Sequence, residues 1–324
     1  MLQQTQVATV TAYYQRFLSR FPTISALAGA EETDVLRQWE GLGYYRRARQ
    51  LHAAAKRIVA EHGGRFPRDL HMMEKLPGIG RYTAGAIASI AFDVRAPILE
   101  ANTVRLHSRL LGFRGDPTSV PGQRLLWRFA EAILPKRGSG DLNQALMELG
   151  SLICTPRAPC CEACPVRSLC PTQIGGWQDV IPAPKRKTKF ENVREAAVVV
   201  RRSGKVLLRK RSDGERWAGL WDFVRFPLCA LRGDDLTREL SQKVYEQVGV
   251  KIQPGQLRTT IQHAVTRFRI TLECFECAYL SGATTASRRA SMAWVTPCRL
   301  GEYPLSASGR KLAVLIASWG VLEE

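Results

Sequence analysis

The sequence lacks any long apolar run. No stretch of about 18 or more consecutive apolar residues occurs in it, and its first twenty residues, MLQQTQVATVTAYYQRFLSR, are too polar for a signal peptide. It also contains no internal repeat and no low-complexity tract. We therefore predict an intracellular protein of the cytoplasm or nucleoid, with no membrane partner.

Acidic residues are scarce. The chain of 324 residues has 29 Asp and Glu against 47 Lys and Arg, which gives a formal net charge of +18. An excess of this size indicates a polyanionic partner, nucleic acid before membrane, although basicity that serves solubility alone remains an alternative. The hydrophobic content of 45% is enough for a sizeable core, and the length predicts two domains.

A disulfide framework is not expected, because thiols stay reduced inside the cell. Four of the nine cysteines have the spacing C-x6-C-x2-C-x5-C in a single loop, namely Cys154, Cys161, Cys164 and Cys170. Four thiolates can hold a tetrahedral zinc ion or a [4Fe–4S] cluster, and the spacing leaves both open. Cys160 could compete with its neighbour as a ligand. The remaining cysteines are predicted to be small core residues: Cys229, Cys274, Cys277 and Cys298.

The chain changes character after the cysteine loop. Up to about residue 150 the apolar residues recur at helical spacing. The stretch GGWQDVIPAPKRKTKFENVRE then has the glycines, prolines and basic run of a linker. From Ala196 the segment AAVVVRRSGKVLLRKR has the alternation and the Ser-Gly turn of a β-hairpin.

Two further stretches carry candidate chemistry. In LPGIGRYTAGAIASIAF, residues 76–92, Gly78 and Gly80 precede an Ala-rich helix whose free N–H groups could bind a DNA phosphate. In PILEANTVRLHSRL, Glu100 and Asn102 lie at the start of an amphipathic segment. Glu100 could be a surface charge, a helix cap or a catalyst, and the residue pattern alone does not decide between them.

Taken together, these pieces resemble the helix-hairpin-helix base-excision glycosylases, and within them the MutY family of adenine DNA glycosylases. The similarity covers essentially the whole chain, in MLQQTQV, WEGLGYYRRARQLH, LPGIGRYTAGA, NQALMELGSLICTPRAPCCEACP and VLLRKRSDGERWAGLWDF. It implies a multidomain α and α+β fold, with an all-α glycosylase domain over 1–173, a linker over 174–195 and a Nudix-like α+β domain over 196–324. It also implies a [4Fe–4S] cluster rather than zinc, held by Cys154, Cys161, Cys164 and Cys170.

Tyr82 separates this chain from the endonuclease III type. Relatives of that type carry a lysine after GxGR and use it to form a Schiff base with the sugar, whereas this chain has Tyr82 there. The resemblance therefore implies base removal without strand cleavage, with the Tyr82 hydroxyl near the catalytic carboxylate. The alternative is that Tyr82 only packs on the hairpin.

Glu100 occupies the place of the family's sugar-facing aspartate, in a D-G-N segment that reads Glu100-Ala101-Asn102 here. The resemblance implies that Glu100 stabilises the cationic sugar and that Asn102 orients the carboxylate or the water. The longer side chain, with alanine in place of glycine, leads us to expect reduced activity. Relatives carry the acid that protonates adenine two residues before the methionine matching Met1, so we expect that acid in a segment upstream of this chain.

The resemblance also implies contacts to the lesion strand from Gln4, Thr5, Leu42, Gly43 and Tyr44, and Glu148 matches a residue that approaches the adenine in relatives. Gly78 and Gly80 of the hairpin are also assigned as DNA-binding residues. Leu42 and Tyr44 match a wedge that fills the gap left by a flipped base, with a place in the core as the alternative. For Glu148 the alternative is an ordinary charge on a helix surface.

The Nudix-like domain is expected to read 8-oxoguanine rather than to hydrolyse nucleotides. Of the carboxylates that hold magnesium in a Nudix box, QKVYEQVGV keeps only Glu246. The family's H-x-F-S-H loop reads His263-Ala264-Val265-Thr266-Arg267, which keeps a hydroxyl at Thr266 but loses the aromatic residue and the second histidine.

The predicted function is that of a monofunctional adenine DNA glycosylase in base excision repair. It would act as a monomer on double-stranded DNA containing adenine opposite 8-oxoguanine or guanine. The alternative is a lesion-binding protein of the same family with impaired catalysis. A DNA-binding module with a four-cysteine zinc site and no role in repair is a more distant alternative.

Overall fold

The computed structural model describes residues 1–183, 189–282 and 291–319. Within these ranges no helix is both long and apolar enough to cross a membrane. The chain divides into two compact units, which are residues 1–56 with 188–324 and residues 57–187.

The first unit begins with short amphipathic helices. They are α1 Val7–Arg20, α2 Ile24–Ala28, α3 Glu32–Trp39 and the first part of α4 Arg46–His62. Phe17 packs edge-on against Trp39, with ring centroids 6.0 Å apart, and both rings are buried. The same apolar cluster includes Leu220, which lies far along the chain and has no exposed surface.

The second unit is helical. It contains α5 Leu70–Glu74, α6 Arg81–Phe92, α7 Ala101–Leu110, α8 Val120–Ala132, α9 Ser139–Glu148 and α10 Pro171–Ile174, with a π-helical turn at Leu149–Ile153 and 3₁₀ turns at Cys161–Ala163 and Arg167–Leu169. The segment LPGIG forms the predicted hairpin between α5 and α6. Gly85 of α6 packs against the segment that precedes α7. A Cβ atom at Gly85 would lie 2.2 Å from the Pro97 carbonyl oxygen. This close packing fixes the chain just before Glu100.

The rest of the first unit is an α+β fold. Its strands are β1 Glu191–Arg202, β2 Lys205–Lys210, β3 Trp221–Asp222, β4 Val224–Pro227, β5 Val250–Gln253, β6 Leu257–Val265, β7 Phe268–Gly282 and β8 Met292–Val295, and its helices are α11 Gly233–Val248 and α12 Ala307–Ser318, with a 3₁₀ turn at Pro297–Glu302. In the described part the sheet order is β3-β2-β1-β7-β5, and β1 and β7 run parallel while the other pairs are antiparallel. Alternate β1 residues pack towards α12 on one face, as Val199 does, and towards α11 on the other, as Val198 does.

The multidomain α and α+β prediction is confirmed, whereas two details differ from the sequence expectations. Residues 1–56 belong to the same compact unit as the sheet, because Leu220 completes the core of the first helices. Strand β1 begins at Glu191, inside the predicted linker 174–195, of which residues 184–188 lie outside the described residues.

The cysteine predictions outside the loop are half right. Cys274 and Cys277 are buried strand residues, as predicted. Cys229 and Cys298 are exposed, so the expectation that they are core residues is wrong. Cys229 lies in the irregular segment after β4, and Cys298 lies in the 3₁₀ turn Pro297–Glu302; in neither place does an apolar neighbourhood in the sequence imply burial.

His107 is a buried, uncharged side chain of α7. It has no exposed surface, and neither ring nitrogen has a hydrogen-bond partner in the described structure. Its ring packs edge-on against Phe129 with centroids 5.2 Å apart. Burial lowers the pKa of His107 to about 4 from its ordinary value of 6.5.

We expect His107→Gln to make folding less sensitive to acid. Between pH 6.5 and about 4 the unfolded chain binds a proton at this ring that the folded chain does not, so the free energy of unfolding falls as pH falls through that window. The loss from about pH 7 to about pH 5 amounts to about 2 kcal/mol. Chemical denaturation followed by circular dichroism at both pH values measures it. His71→Gln, at an exposed histidine, should retain the full loss, and equal pH dependence in all three proteins would refute the assignment.

Candidate active site

Glu100 is the N-cap of α7. Its carboxylate accepts hydrogen bonds from the backbone N–H groups of Asn102, 2.9 Å from Oε2, and Thr103, 3.0 Å from Oε1. The Thr103 hydroxyl in turn accepts from the Glu100 N–H at 2.8 Å, which completes a capping box. Glutamate is not a preferred N-cap residue. The cap therefore fixes the carboxylate at the positive end of the helix, which stabilises its negative charge.

Tyr82 lies close enough to Glu100 for the carboxylate charge to affect the ionisation of its phenol. The pKa of the half-buried Tyr82 is raised, first by burial and then by the negative charge of Glu100. Its hydroxyl contacts the Met147 Sδ at 3.7 Å, which places the end of α9 beside α6. The phenol is therefore neutral near pH 7 and can only donate or accept a hydrogen bond near the carboxylate.

Asn102 is linked to the cysteine loop by a buried arginine. Arg105 Nη2 donates to the Asn102 side-chain oxygen at 3.1 Å, and Arg105 Nε donates to the Cys154 carbonyl at 2.7 Å. Arg105 also donates to the Gly150 carbonyl. Burial lowers the pKa of Arg105, while the nearby Cys154 and Glu100 act in the opposite direction. The start of α7 is thus tied to the first cysteine through one side chain.

Arg109, one turn further along α7, organises the cysteine loop. Its side chain is 3% exposed. Arg109 Nη1 donates to the Cys154 Sγ at 3.3 Å, and its other N–H groups donate to the Thr155 carbonyl at 2.8 Å, the Gln178 carbonyl at 2.9 Å and the Ile181 carbonyl at 2.9 Å. One guanidinium thus joins the start of the cysteine loop to the segment that follows the loop.

The four predicted metal ligands lie around a single cavity. Its lining includes Cys154, Cys161, Cys164 and Cys170. Burial raises the pKa of the Cys170 thiol, and the neighbouring Cys154 and Cys161 raise it further. Gln178 Nε2 lies 3.7 Å from the Cys161 Sγ. The exposed Cys160 does not line the cavity.

These residues fit a thiolate-ligated group. All four cysteines line one cavity, and Arg109 and Gln178 supply N–H donors to the sulfur atoms of two of them. A buried guanidinium would offset part of the negative charge that four thiolates bring. In the described ranges, no group of three or more His, Cys, Asp or Glu side chains is arranged around a point suited to a single metal ion.

The predicted wedge belongs to the first unit and is held by Arg47. Arg47 Nη2 donates to the Thr5 hydroxyl at 3.0 Å and to the carbonyls of Leu42 at 3.4 Å and Gly43 at 3.3 Å. Tyr44 has a left-handed backbone with φ of 48° and is 56% exposed, whereas Leu42 is only 6% exposed. Of the two predicted wedge side chains, Tyr44 is the one that faces outwards and Leu42 belongs to the core.

The remaining predicted DNA contacts are placed as follows. Gln4 is exposed with φ of 58°. Gly78 has φ of 77° within the hairpin, and Gly80 is the N-cap of α6, where a Cβ would meet nothing within 4 Å. A ligand could therefore approach the first N–H groups of α6 closely. Glu148 is exposed at the end of α9, and no contact joins it to Glu100 in the described structure.

Comparison with known proteins supports both parts of the fold. The family model for the HhH-GPD superfamily of base excision DNA repair proteins matches residues 1–132, and the model for the NUDIX domain matches residues 196–314. The chain is 48% identical over 171 residues to a Rattus norvegicus protein named adenine DNA glycosylase, covering 52% of this chain and 33% of that protein. It is 37% identical over 226 residues to a protein of the same name from Buchnera aphidicola subsp. Schizaphis graminum, covering 70% of this chain and 65% of that protein. The two family models and these relatives together support a MutY-type glycosylase.

A solved structure is also similar to part of this chain. The structure of a thermostable thymine-DNA glycosylase aligns with a TM-score of 0.50 and 29% sequence identity, covering 54% of this chain and 80% of that chain. The MutY-type chain spans between one third and two thirds of the length of the two named relatives.

The hairpin matching the MutY lesion-reading loop joins β6 to β7. Thr266, at its tip, has φ of 52° and is exposed, and its hydroxyl donates to the Val265 carbonyl at 2.7 Å. Arg267 is also exposed and lies 3.7 Å from the Glu191 carboxylate. His263 is partly buried, with its Nε2 3.2 Å from Arg225 Nη2. Burial and the Arg225 charge lower its pKa, so the ring is neutral near pH 7.

Helix α11 of this MutY-type chain has a lysine beside its one remaining Nudix-box carboxylate. Lys243 Nζ lies 3.0 Å from the Glu246 Oε2, and Gln242 Nε2 donates to Oε1 of the same carboxylate at 2.8 Å. Hydrogen bonds from Lys243 and Gln242 lower the pKa of Glu246. An ammonium group thus pairs with the carboxylate that a nucleotide hydrolase would use for magnesium.

Sequence reasoning missed the three arginines that hold these sites together, namely Arg47, Arg105 and Arg109. A signal was present for two of them, because Arg105 and Arg109 are four residues apart on an amphipathic helix and share one face. The partners of these arginines are mostly backbone carbonyls, which a sequence does not reveal.

Proposed function

We propose that this chain is a monofunctional adenine DNA glycosylase that removes adenine paired with 8-oxoguanine or guanine in double-stranded DNA. The observation that carries the proposal is a carboxylate, Glu100, fixed at the start of α7 beside the neutral phenol of Tyr82. The names of the relatives in the rat and in Buchnera support adenine as the base. We further propose that the protein acts as a monomer in the cytoplasm or nucleoid.

The chemistry needs charge balance at two places. When the bond between the sugar C1′ and the adenine N9 breaks, its electron pair leaves with the base and the sugar becomes cationic. Glu100 would stabilise that cation, because a fixed carboxylate in a site poor in water interacts strongly with developing positive charge. Water then adds to C1′, and its proton balances the proton that the departing adenine takes up. Asn102 and Tyr82 would orient the water and the carboxylate.

The absence of an amine at position 82 supports base removal without strand cleavage. A Schiff base with the sugar requires a primary amine, and Tyr82 cannot supply one. We therefore propose that the product is an intact strand with an abasic site.

Cys154, Cys161, Cys164 and Cys170 would hold a [4Fe–4S] cluster. The four thiols share one cavity, and the buried Arg109 compensates charge beside them. A cluster there would supply structural rigidity to the loop, and the basic Arg157 and Arg167 within it would face DNA phosphates.

We propose that the second part of the chain reads the 8-oxoguanine through the β6–β7 hairpin. The exposed tip offers the Thr266 hydroxyl as a donor or acceptor and Arg267 as a phosphate contact. In the first unit, Gln4, Thr5 and Tyr44 would fill the space left by the flipped adenine.

The proposal is tested by single-turnover assays on a labelled duplex with one adenine opposite 8-oxoguanine. We expect adenine release, with strand breaks appearing only after alkali treatment. A duplex with the adenine opposite thymine should remain intact. The assay is run on the chain of 324 residues. Tight binding without release would favour the lesion-binding alternative, and strand breaks without alkali would refute the monofunctional assignment.

A further inference from the structure

A cleft of about 660 Å³ lies within the first unit, among α1, α3, the loop after α3 and the start of α12. Six of its lining residues matter here: Tyr13, Arg16, Arg37, Gln38, Glu40 and Arg310. None of them belongs to the proposed excision site or to the predicted wedge. Its volume is in the range of clefts that bind small molecules.

The one carboxylate among these residues is already neutralised. Arg310 Nε and Nη2 donate to the two Glu40 oxygens at 2.6 and 2.9 Å. Arg310 also donates to the Leu300 carbonyl at 2.8 Å and the Tyr303 carbonyl at 2.7 Å. The Arg310–Glu40 ion pair forms a fixed wall of the cleft. The net charge of the cleft is therefore set by Arg16 and Arg37.

Arg16 is held in place with most of its donors unused. Its Nη2 donates to the Gln38 carbonyl at 3.0 Å, and its guanidinium carbon lies 4.7 Å from the centre of the Tyr13 ring. Stacking on an aromatic ring orients a guanidinium without using its N–H groups. Arg16 therefore presents further N–H donors to the cleft.

Arg37 has no hydrogen-bond acceptor in the part of the chain that the structure describes. Arg37 interacts electrostatically with Glu302, whose pKa is lowered first by a hydrogen bond from Arg299 and only last by the Arg37 charge. Arg299 Nη2 lies 2.7 Å from that carboxylate, so Glu302 is already paired. The Arg37 charge is thus available to a ligand.

Gln38 adds a polar atom that lacks a partner. Its side-chain Oε1 is buried, and no described residue donates to it. Because a buried acceptor without a partner is unfavourable, a ligand hydroxyl or a bound water that donates to it is favoured.

We propose that this cleft binds a phosphate group between Arg16 and Arg37. Two guanidiniums on adjacent helices provide the paired N–H donors that phosphate oxygens accept, and the Gln38 oxygen can take a hydroxyl hydrogen beside them. The phosphate could be a phosphodiester of bound DNA or a free phosphate such as that of a nucleoside monophosphate. The site functions independently of the excision chemistry at Glu100.

The test uses the double variant Arg16→Gln/Arg37→Gln in the full chain. Binding of an undamaged duplex is measured at several salt concentrations, and binding of inorganic phosphate and of adenosine monophosphate is measured by calorimetry. If the ligand is a DNA phosphodiester, the slope of log affinity against log salt should decrease by about 1 for each phosphate interaction that the substitutions remove. If the ligand is a free phosphate, the slope is unchanged and affinity for inorganic phosphate falls at least about ten-fold.

Arg238→Gln is the matched control, because Arg238 is a highly exposed arginine paired only loosely with Asp235, at 3.5 Å. It should leave both measurements at the parental values. Thermal melting tests whether the double variant folds. If the double variant does not fold, Arg16→Lys/Arg37→Lys, which keeps both positive charges, replaces it. The proposal would be overturned if a folded double variant kept the parental salt dependence while its phosphate binding was either equal to that of the parental protein or absent from both proteins.

Discussion

Glu100→Gln should reduce single-turnover adenine release by at least about 10²-fold, a cost on the order of 3 kcal/mol in transition-state stabilisation. The amide has nearly the same shape as the carboxylate but carries no charge to stabilise the cationic sugar. Affinity for a duplex with adenine opposite 8-oxoguanine should stay within a few-fold of the parental value. The rate and the affinity are measured separately, by quenched reactions with enzyme in excess and by titration of the labelled duplex.

The experiment must distinguish the helix-capping role of Glu100 from its role in excision. Glutamine retains a single side-chain oxygen, so it can replace only one of the two acceptors used by the Asn102 and Thr103 N–H groups, and stability should fall by about 1 kcal/mol. Thr103→Val removes the other half of the capping box while keeping the carboxylate. We expect this control to lose similar stability and to release adenine within a few-fold of the parental rate.

Glu100→Asp sharpens the same test, because aspartate is the better N-cap residue and restores the family's shorter acid. We expect it to release adenine at the parental rate or faster. Parental release by Glu100→Gln would show that Glu100 acts only as a helix cap.

Arg109→Met should dismantle the cysteine loop. The substitution leaves the carbonyls of Thr155, Gln178 and Ile181 and the sulfur of Cys154 without their shared donor in a buried environment. Removing one partner from such a buried polar network typically destabilises by about 3–5 kcal/mol. We expect iron content and absorption at about 400 nm, which are diagnostic of a thiolate-ligated iron cluster rather than zinc, to fall together with the melting temperature.

Two variants provide the comparison for Arg109. Arg167→Gln changes an arginine of the same loop whose side chain is 53% exposed and pairs with Glu162, so iron content and melting should stay parental. Cys154→Ala should lose the cluster while leaving the Arg109 hydrogen bonds to the three carbonyls possible. Full iron content and parental melting in Arg109→Met would show that the loop does not depend on this guanidinium. Iron-free parental protein that contains zinc would refute the [4Fe–4S] proposal itself.

The sequence predicted those features that depend on local pattern. The hairpin before α6, the start of a helix at Glu100 and the strands from Ala196 onwards follow from glycine placement, capping chemistry and strand alternation. The gathering of the four cysteines around one cavity was also foreseeable, because a short loop limits how far apart they can lie.

Other features depend on interactions between distant segments, and these were not foreseen. The roles of Arg47, Arg105 and Arg109 rest on backbone carbonyls whose positions arise only when loops fold back onto helices. Leu42 and Tyr44 are two residues apart in one motif, yet one is buried and the other exposed because of the left-handed turn between them. The unusual choice of Glu100 as a cap is visible in the sequence, but its proximity to Tyr82 depends on the packing of α6 against the segment before α7.

The position of Leu220 in the core of the first helices bears on how the gene can be divided for expression. A recombinant fragment ending at the linker would contain Phe17, Leu36 and Trp39 without the side chain that completes their packing. Such a fragment would expose apolar side chains to water and could be poorly soluble for that reason. Its poor behaviour would therefore say nothing about whether lesion reading assists excision. Loss of activity on deleting the second part of the chain would then reflect an unfinished helical core as much as the removal of a DNA-binding surface.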